Sequence, residues 1–267
     1  MTREPLKWQR RRTAVIAAAE RLPRLTKLSR SAPLDPHAFS KAAQAGFPFI
    51  VDGIVSQWPL ATMNLTALRE EFAAVPVRVR IGDYATAAFS PRRTLIDMPL
   101  AAYLDSVDSD KRALPPYAGN VQVPEIGRLC NWPEYFAVYQ QPKLWLGPAG
   151  TVTPLHCDYF DNLFAQVWGR KRIRLFPPSD GNLFPTREVN PTLYASPFDP
   201  EKPDFETWPL ARQGRQIEYV IEPGELLFLP AGWFHHVRAI DFSLSVNRWT
   251  EDYPLACQPE HLDLERS

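Results

Sequence analysis

The chain has 267 residues, with 30 basic and 30 acidic side chains, 45% apolar residues and 22% charged ones. That balance excludes wholesale disorder and collagen-like repetition, and it lacks the global basic excess of a nucleic-acid-binding surface. No run approaches the roughly 18 apolar residues of a membrane-spanning helix, so no membrane partner is expected.

The 28 prolines, about twice ordinary usage, argue against a helical bundle and for short strands joined by rigid connections. Cys130, Cys157 and Cys257 are scattered with no CxxC pair. This supports neither a disulfide framework nor a thiolate zinc site, and fits a reducing, cytoplasmic setting.

The first 30 residues carry nine basic and two acidic side chains, a net charge of +7. Thr13–Ala19 is largely apolar and follows a basic run, as in a signal peptide. The apolar run is at the short limit for that role and breaks at once into Glu20-Arg21, so a surface helix is the better match. A basic patch for an anionic partner ranks below it. Segment 1–34 is therefore set apart from a main domain over 35–267.

Asp35-Pro36 reads as a helix cap followed by a first-turn proline, with Gly46 as the stop. Phe47–Val51 is a short apolar strand. Asn64 caps a helix through about Ala74. Pro76–Ile81 alternates Val77, Val79 and Ile81 against Arg78 and Arg80, the period of a half-buried strand. Asp97–Val107 reads as helix.

From Tyr117 onward the pattern is short strands and turns. Leu144–Leu146, Leu155–Val167, Lys171–Phe176, Ile217–Ile221, Glu225–Leu229, His235–Ile240 and Leu244–Trp249 are the candidates, which implies a sandwich or barrel. A stretch rich in Pro, Asn and Asp separates Pro177 from Gln216, and a connection of that length is commonly functional.

Two motifs carry chemistry. In Thr153-Pro154-Leu155-His156-Cys157-Asp158, residues two apart on a strand point to one face. His156 and Asp158 then project together, about 7 Å apart along the strand, and can share a metal ion. The second motif is Pro230-Ala231-Gly232-Trp233-Phe234-His235-His236-Val237. Two histidines and one carboxylate with open positions make the facial triad of non-haem Fe(II) oxygenases. His235 shares a face with Val237 and Ala239, whereas His236 shares one with Arg238. His235 is therefore assigned as the ligand and His236 to a supporting or surface position.

Lys171 lies on the same row as Ile173 and Leu175. An ammonium on an inward apolar row must meet an anion, supplied by the protein or by a bound dicarboxylate. Arg170, Arg172 and Arg174 on the other row read as a solvated face. Asn162 shares parity with His156 and Asp158 if Leu155–Val167 is one strand. Ser243, Ser245 and Asn247 form a polar row that is either a wet outer face or the lining of a cavity.

These residues resemble the JmjC/cupin-like 2-oxoglutarate oxygenases, and in particular their asparaginyl hydroxylase branch, which inhibits hypoxia-inducible factor. The likeness is carried by Thr151–Asp158, Asn162–Arg172, Leu175–Pro178, Glu222–Pro230, Trp233–Val237 and Ser245–Trp249. It implies a mainly β protein, a double-stranded β-helix (jelly-roll or cupin barrel) with an N-terminal helical elaboration. It implies His156, Asp158 and His235 as Fe(II) ligands. Lys171 and Thr153 are placed at the distal carboxylate of 2-oxoglutarate, with Tyr117 as a further cosubstrate contact. Asn162 and Asn247 fall near the metal-proximal end, and Trp145, Trp168, Phe164, Trp233 and Phe234 are candidates for a dry shell.

The implied reaction consumes 2-oxoglutarate and O2, releases succinate and CO2, and hydroxylates a C–H bond, with a protein or peptide side chain ahead of a small molecule as substrate. Lysine demethylation ranks below hydroxylation. Two other classes stay open: a cupin metalloenzyme that does not use 2-oxoglutarate, and a non-catalytic cupin binding module. The dimer-forming tail of the asparaginyl hydroxylase has no counterpart in the 18 residues after Trp249, so the oligomeric state stays open, as does the substrate.

Overall fold

The computed structural model describes residues 3–21, 24–85, 89, 93–108 and 112–257. The two expected segments, 1–34 and 35–267, each include residues outside that range. In chain order the elements are α1 (Arg3–Glu20), β1 (Ser29–Ser31), α2 (Pro36–Gln44), β2 (Phe49–Val51), α3 (Pro59–Thr62), α4 (Leu65–Glu71), β3 (Pro76–Ile81), β4 (Thr94–Pro99), α5 (Leu100–Asp108), β5 (Ala118–Val121) and α6 (Pro124–Gly127). There follow β6 (Lys143–Gly147), β7 (Val152–Asp158), β8 (Asn162–Trp168), β9 (Lys171–Phe176), β10 (Arg187–Asn190), β11 (Leu193–Ala195), β12 (Ile217–Ile221), β13 (Leu226–Leu229), β14 (Phe234–Ala239) and β15 (Ser243–Trp249).

Two sheets form the body. One has seven strands in the order β1-β2-β13-β8-β15-β6-β5, the other six in the order β10-β11-β7-β14-β9-β12. Their inner faces meet through Phe164, Leu227 and Leu229 from the first sheet and Ile173, Leu175 and Val237 from the second. This is the expected jelly-roll architecture of two packed sheets. The outer face of the seven-stranded sheet, including Leu163, Ala165, Leu244 and Val246, is covered by the helical layer through Phe39, Trp58, Leu68 and Leu100. The outer face of the six-stranded sheet, with Leu155 and Cys157, lies under Phe184 and Phe198 of the long insert and Val15 of α1.

Local chemistry sets the helix starts. The Asp35 carboxylate accepts from the Ala38 amide at 2.8 Å and Pro36 opens α2. Asn64 accepts from the Ala67 amide at 2.9 Å at the start of α4, as capping side chains do. That helix stops at Glu71, short of Ala74.

Two expectations are corrected. Asp97–Val107 is not one helix. Thr94–Pro99 pairs with β3, with Arg78 and Asp97 forming a cross-strand ion pair at 2.8 Å, and the helix begins only at Leu100. Asp97, Met98 and Pro99 are held extended by their pairing with Arg78, Val77 and Pro76, which leaves only Leu100 onward free to coil.

Leu155–Val167 is likewise two strands in different sheets. The chain turns at Tyr159–Asp161, where the buried Asp161 carboxylate accepts from the amides of Ala231 and Leu255, both at 2.8 Å. The insert after Pro177 is not featureless, since β10 and β11 extend the six-stranded sheet beside β7.

Candidate metal centre

β7 and β14 are antiparallel neighbours, and His156 and His235 are paired across them. Their rings lie 4.0 Å apart between centroids. With Asp158 they form a group whose possible ligand atoms all lie within 4.8 Å of one another. Both imidazoles are buried and Asp158 is half-buried.

Each ring is held through Nδ1, which stands 2.8 Å from the Pro154 carbonyl in His156 and 3.0 Å from the Trp233 carbonyl in His235. A carbonyl can only accept, so Nδ1 carries the proton and Nε2 keeps its lone pair. Burial drives His156 down to about 4 and His235 down to about 3, so both are neutral at ordinary pH, as ligands must be. Burial pushes the Asp158 carboxyl up, while the neighbouring His235 and the Trp249 indole hold it down. Trp249 Nε1 donates to Asp158 Oδ2 at 3.2 Å.

A β-bulge separates His156 from Thr153 in the pairing with β14. It explains how Thr153 and His156, of opposite sequence parity, both serve the inner side while Leu155 packs outside. Thr153 stands against the Tyr117 hydroxyl. Burial raises that phenol to about 12, so it remains a hydrogen-bond donor.

Lys171 is 1% exposed. Among the described residues its ammonium reaches only the Trp145 carbonyl, at 3.4 Å, and it lies 5.8 Å from the Phe164 ring. Among the described residues no carboxylate pairs with it, and burial lowers its pKa to about 7. A fully buried amine with no counter-ion is what a dicarboxylate would complete.

Ser243, Ser245 and Asn247 turn out to face the interior. All three are buried, Ser245 donates to Gln166 Oε1 at 2.7 Å and Asn247 Nδ2 to Asn162 Oδ1 at 3.3 Å. Asn162 Nδ2 and Asn247 Oδ1 remain buried without partners. The strand-parity argument for Asn162 fails, because β8 belongs to the other sheet. It instead lines a small recess with Asp158 and His235.

His236 is not at the surface. It is buried beneath the insert, with Asp199 at 4.0 Å and Glu201 at 3.9 Å from Nε2. This second His–Asp–Glu grouping is a poor metal site, since Arg174 at 2.7 Å and Arg238 already neutralise Glu201. Phe234 faces the outer cluster rather than the metal centre. Arg170, Arg172 and Arg174 pair with Asp241, Glu218 and Glu201, consistent with an outward row.

Three features were missed in the sequence. Trp249 steadies Asp158. Phe89 lies 4.8 Å from the His156 ring. Arg80, assigned by alternation to the outer row of its strand, is buried. Its backbone joins that of Tyr117 in two hydrogen bonds of 2.8 and 3.0 Å, which turns the strand end inward.

Residues 36–254 match the family model of the cupin-like domain. The chain is similar to lysine-specific demethylase 8 of Xenopus tropicalis, 29% identical over 210 residues, covering 76% of this chain and 47% of that protein. It is also similar to Jumonji C domain-containing protein 5 of Drosophila melanogaster, 29% identical over 227 residues, covering 79% and 56%. Lysine-specific demethylase JMJ30 of Arabidopsis thaliana is 40% identical over 111 residues, covering 41% and 26%. The chain thus spans about half the length of the first two relatives.

Proposed function

The chain belongs to the JmjC-type cupin-like oxygenase family, and from that membership we propose that it is an Fe(II)- and 2-oxoglutarate-dependent dioxygenase that hydroxylates a C–H bond of a protein or peptide side chain. The observation that carries this reading is the combination in one barrel of an open His156–Asp158–His235 group and the buried, uncompensated Lys171.

The residues present fit the cofactors. Two neutral nitrogens and one carboxylate suit Fe(II) and leave coordination positions open. The unpartnered amide atoms of Asn162 and Asn247 are groups that a polar ligand would satisfy. When bound, iron and 2-oxoglutarate supply oxidative decarboxylation to succinate and CO2 coupled to oxygen insertion into a C–H bond.

The chain's own contribution is placement. Lys171 supplies the counter-charge for the distal carboxylate, and Thr153 and Tyr117 donate hydrogen bonds toward it. Asn162 and Asn247 serve the other end of the cosubstrate. Trp249 keeps the Asp158 carboxylate turned toward the two imidazoles, and its contact with Trp145, 5.7 Å between rings, adds an apolar wall beside them. Low water access there strengthens each of these charge interactions.

The test is succinate formation by the purified chain with Fe(II), 2-oxoglutarate and O2. Wild-type protein is expected to bind 2-oxoglutarate and to turn it over slowly even without a second substrate, and His156→Ala to show no turnover. A folded wild-type protein that neither binds nor consumes 2-oxoglutarate overturns the reading. It would favour the metalloenzyme or binding-module alternatives.

A further inference from the structure

The barrel interior holds a second cation that the reading above leaves unused. Arg80 is 7% exposed. Among the described residues its guanidinium donates no side-chain hydrogen bond and pairs with no carboxylate. By contrast, Arg30, Arg69, Arg78, Arg170, Arg215 and Arg238 are all ion-paired. Arg80 instead lies over the Tyr117 ring, 5.6 Å from its centroid. Arg93 is close enough to act on it as a like charge. Desolvating a guanidinium without a counter-ion is costly, so this placement calls for an anion that the described residues do not provide.

Its position says which anion. A Cβ on Gly119 would meet the central guanidinium carbon at 3.2 Å, so Arg80 sits directly above that glycine. Gly119 pairs with Trp145, whose ring contacts Trp249, and Trp249 holds Asp158. Arg80 thus lies beside the strand pair that carries this aromatic wall, and its charge is felt at His156. The Phe89 ring lies against the same imidazole. The cosubstrate already has its counter-charge in Lys171, on the opposite sheet.

We propose that Arg80 is the substrate-recognition cation of this site, and that the residue presented to the metal bears a carboxylate, as an aspartyl or glutamyl side chain of a peptide does. A planar guanidinium that no described carboxylate pairs with suits a carboxylate in bidentate geometry. A lysyl ammonium would instead face like charge. This inference rests on the oxygenase reading and narrows its substrate class.

The experiment uses the full chain and amidated nonapeptides with degenerate flanks and a fixed central Asp, Glu, Asn, Gln or Lys. Peptide binding is read by fluorescence anisotropy, and 2-oxoglutarate binding by calorimetry. Wild type is expected to bind the Asp or Glu set at least tenfold more tightly than the matching amide set. Arg80→Gln should abolish that preference, Arg80→Lys should retain part of it, and both should bind 2-oxoglutarate within about twofold of wild type.

Equal binding of acid and amide sets by wild type, or preference for Lys, overturns the proposal without reference to any variant. So does an Arg80→Gln protein that keeps the acid preference but loses 2-oxoglutarate affinity, which would assign Arg80 to the cosubstrate. Acid preference in a wild-type chain that does not bind 2-oxoglutarate would instead sink the oxygenase reading and leave the Arg80 assignment standing.

Discussion

The indole of Trp249 donates to Asp158 Oδ2 at 3.2 Å, so the last strand of one sheet fixes the carboxylate carried by the other. Groups that orient a ligand typically account for about 10–100-fold in metal affinity. Trp249→Phe keeps the ring and removes the donor. It is expected to weaken Co(II) binding by about that factor with little change in the thermal midpoint. His156→Ala should abolish stoichiometric binding. Titration followed by visible absorption checks both.

Lys171 should govern cosubstrate affinity and its pH dependence. Burial lowers its pKa to about 7. Above that pH the free protein carries a neutral amine, and binding a carboxylate then requires proton uptake. Affinity for 2-oxoglutarate should fall by about tenfold per pH unit above 7. Lys171→Met should lose at least about tenfold at pH 6.5 and show no such slope. Calorimetry at several pH values reads both effects.

Three buried imidazoles make the metal-free protein acid-sensitive. His156 and His236 are lowered to about 4 and His235 to about 3. Below pH 6.5 the unfolded chain binds protons at these positions and the folded chain does not. Stability therefore falls as pH drops from about 6.5 toward 4, by about 1.4 kcal/mol per pH unit for each histidine. His236→Gln should reduce the slope by one such unit.

Asp161 acts in the opposite sense. It is raised to about 6, so its ionisation in the fold costs stability as pH rises from about 4 to 6. Asp161→Asn should therefore steepen the net acid dependence. Urea titrations at pH 7, 6 and 5 check both variants.

Gly119→Ala places a methyl 2.8 Å from the Tyr117 ring as well as against Arg80. The ring has no free space, being 2% exposed, so one of the two must shift. A stability loss of about 1–3 kcal/mol is expected, together with weaker 2-oxoglutarate binding. Denaturant melts and calorimetry separate the two effects.

The sequence exposes the clustering of His156, Asp158 and His235 better than their surroundings. His156 and Asp158 are legible because strand alternation is strict over so short a distance, and His235 because its row continues into Val237 and Ala239. Alternation fails where the strand itself is interrupted. The bulge before His156 carries Thr153 inward against its parity, and the corner at Asp161 breaks the link between Asn162 and the ligand strand. Arg80 is hidden for a related reason, since only the bridge to Tyr117 turns it inward. The sequence leaves His236 between a supporting and a surface position because its cover comes from an insert whose course nothing local dictates. The fold class survives these errors because it depends on many short strands rather than on any one register.

The front helix reaches the turns next to Asp158 and His235. Arg11 of α1 donates to the Tyr159 carbonyl, one residue after Asp158, and to the Asp252 carbonyl. Val15 presses against Gly232, leaving no room for a methyl there, three residues before His235. α1 thus works as a splint on the two turns, although it precedes the span that matches the family model. A protein trimmed to residue 36 would keep His156, Asp158 and His235 yet lose the buttress that keeps them in mutual alignment.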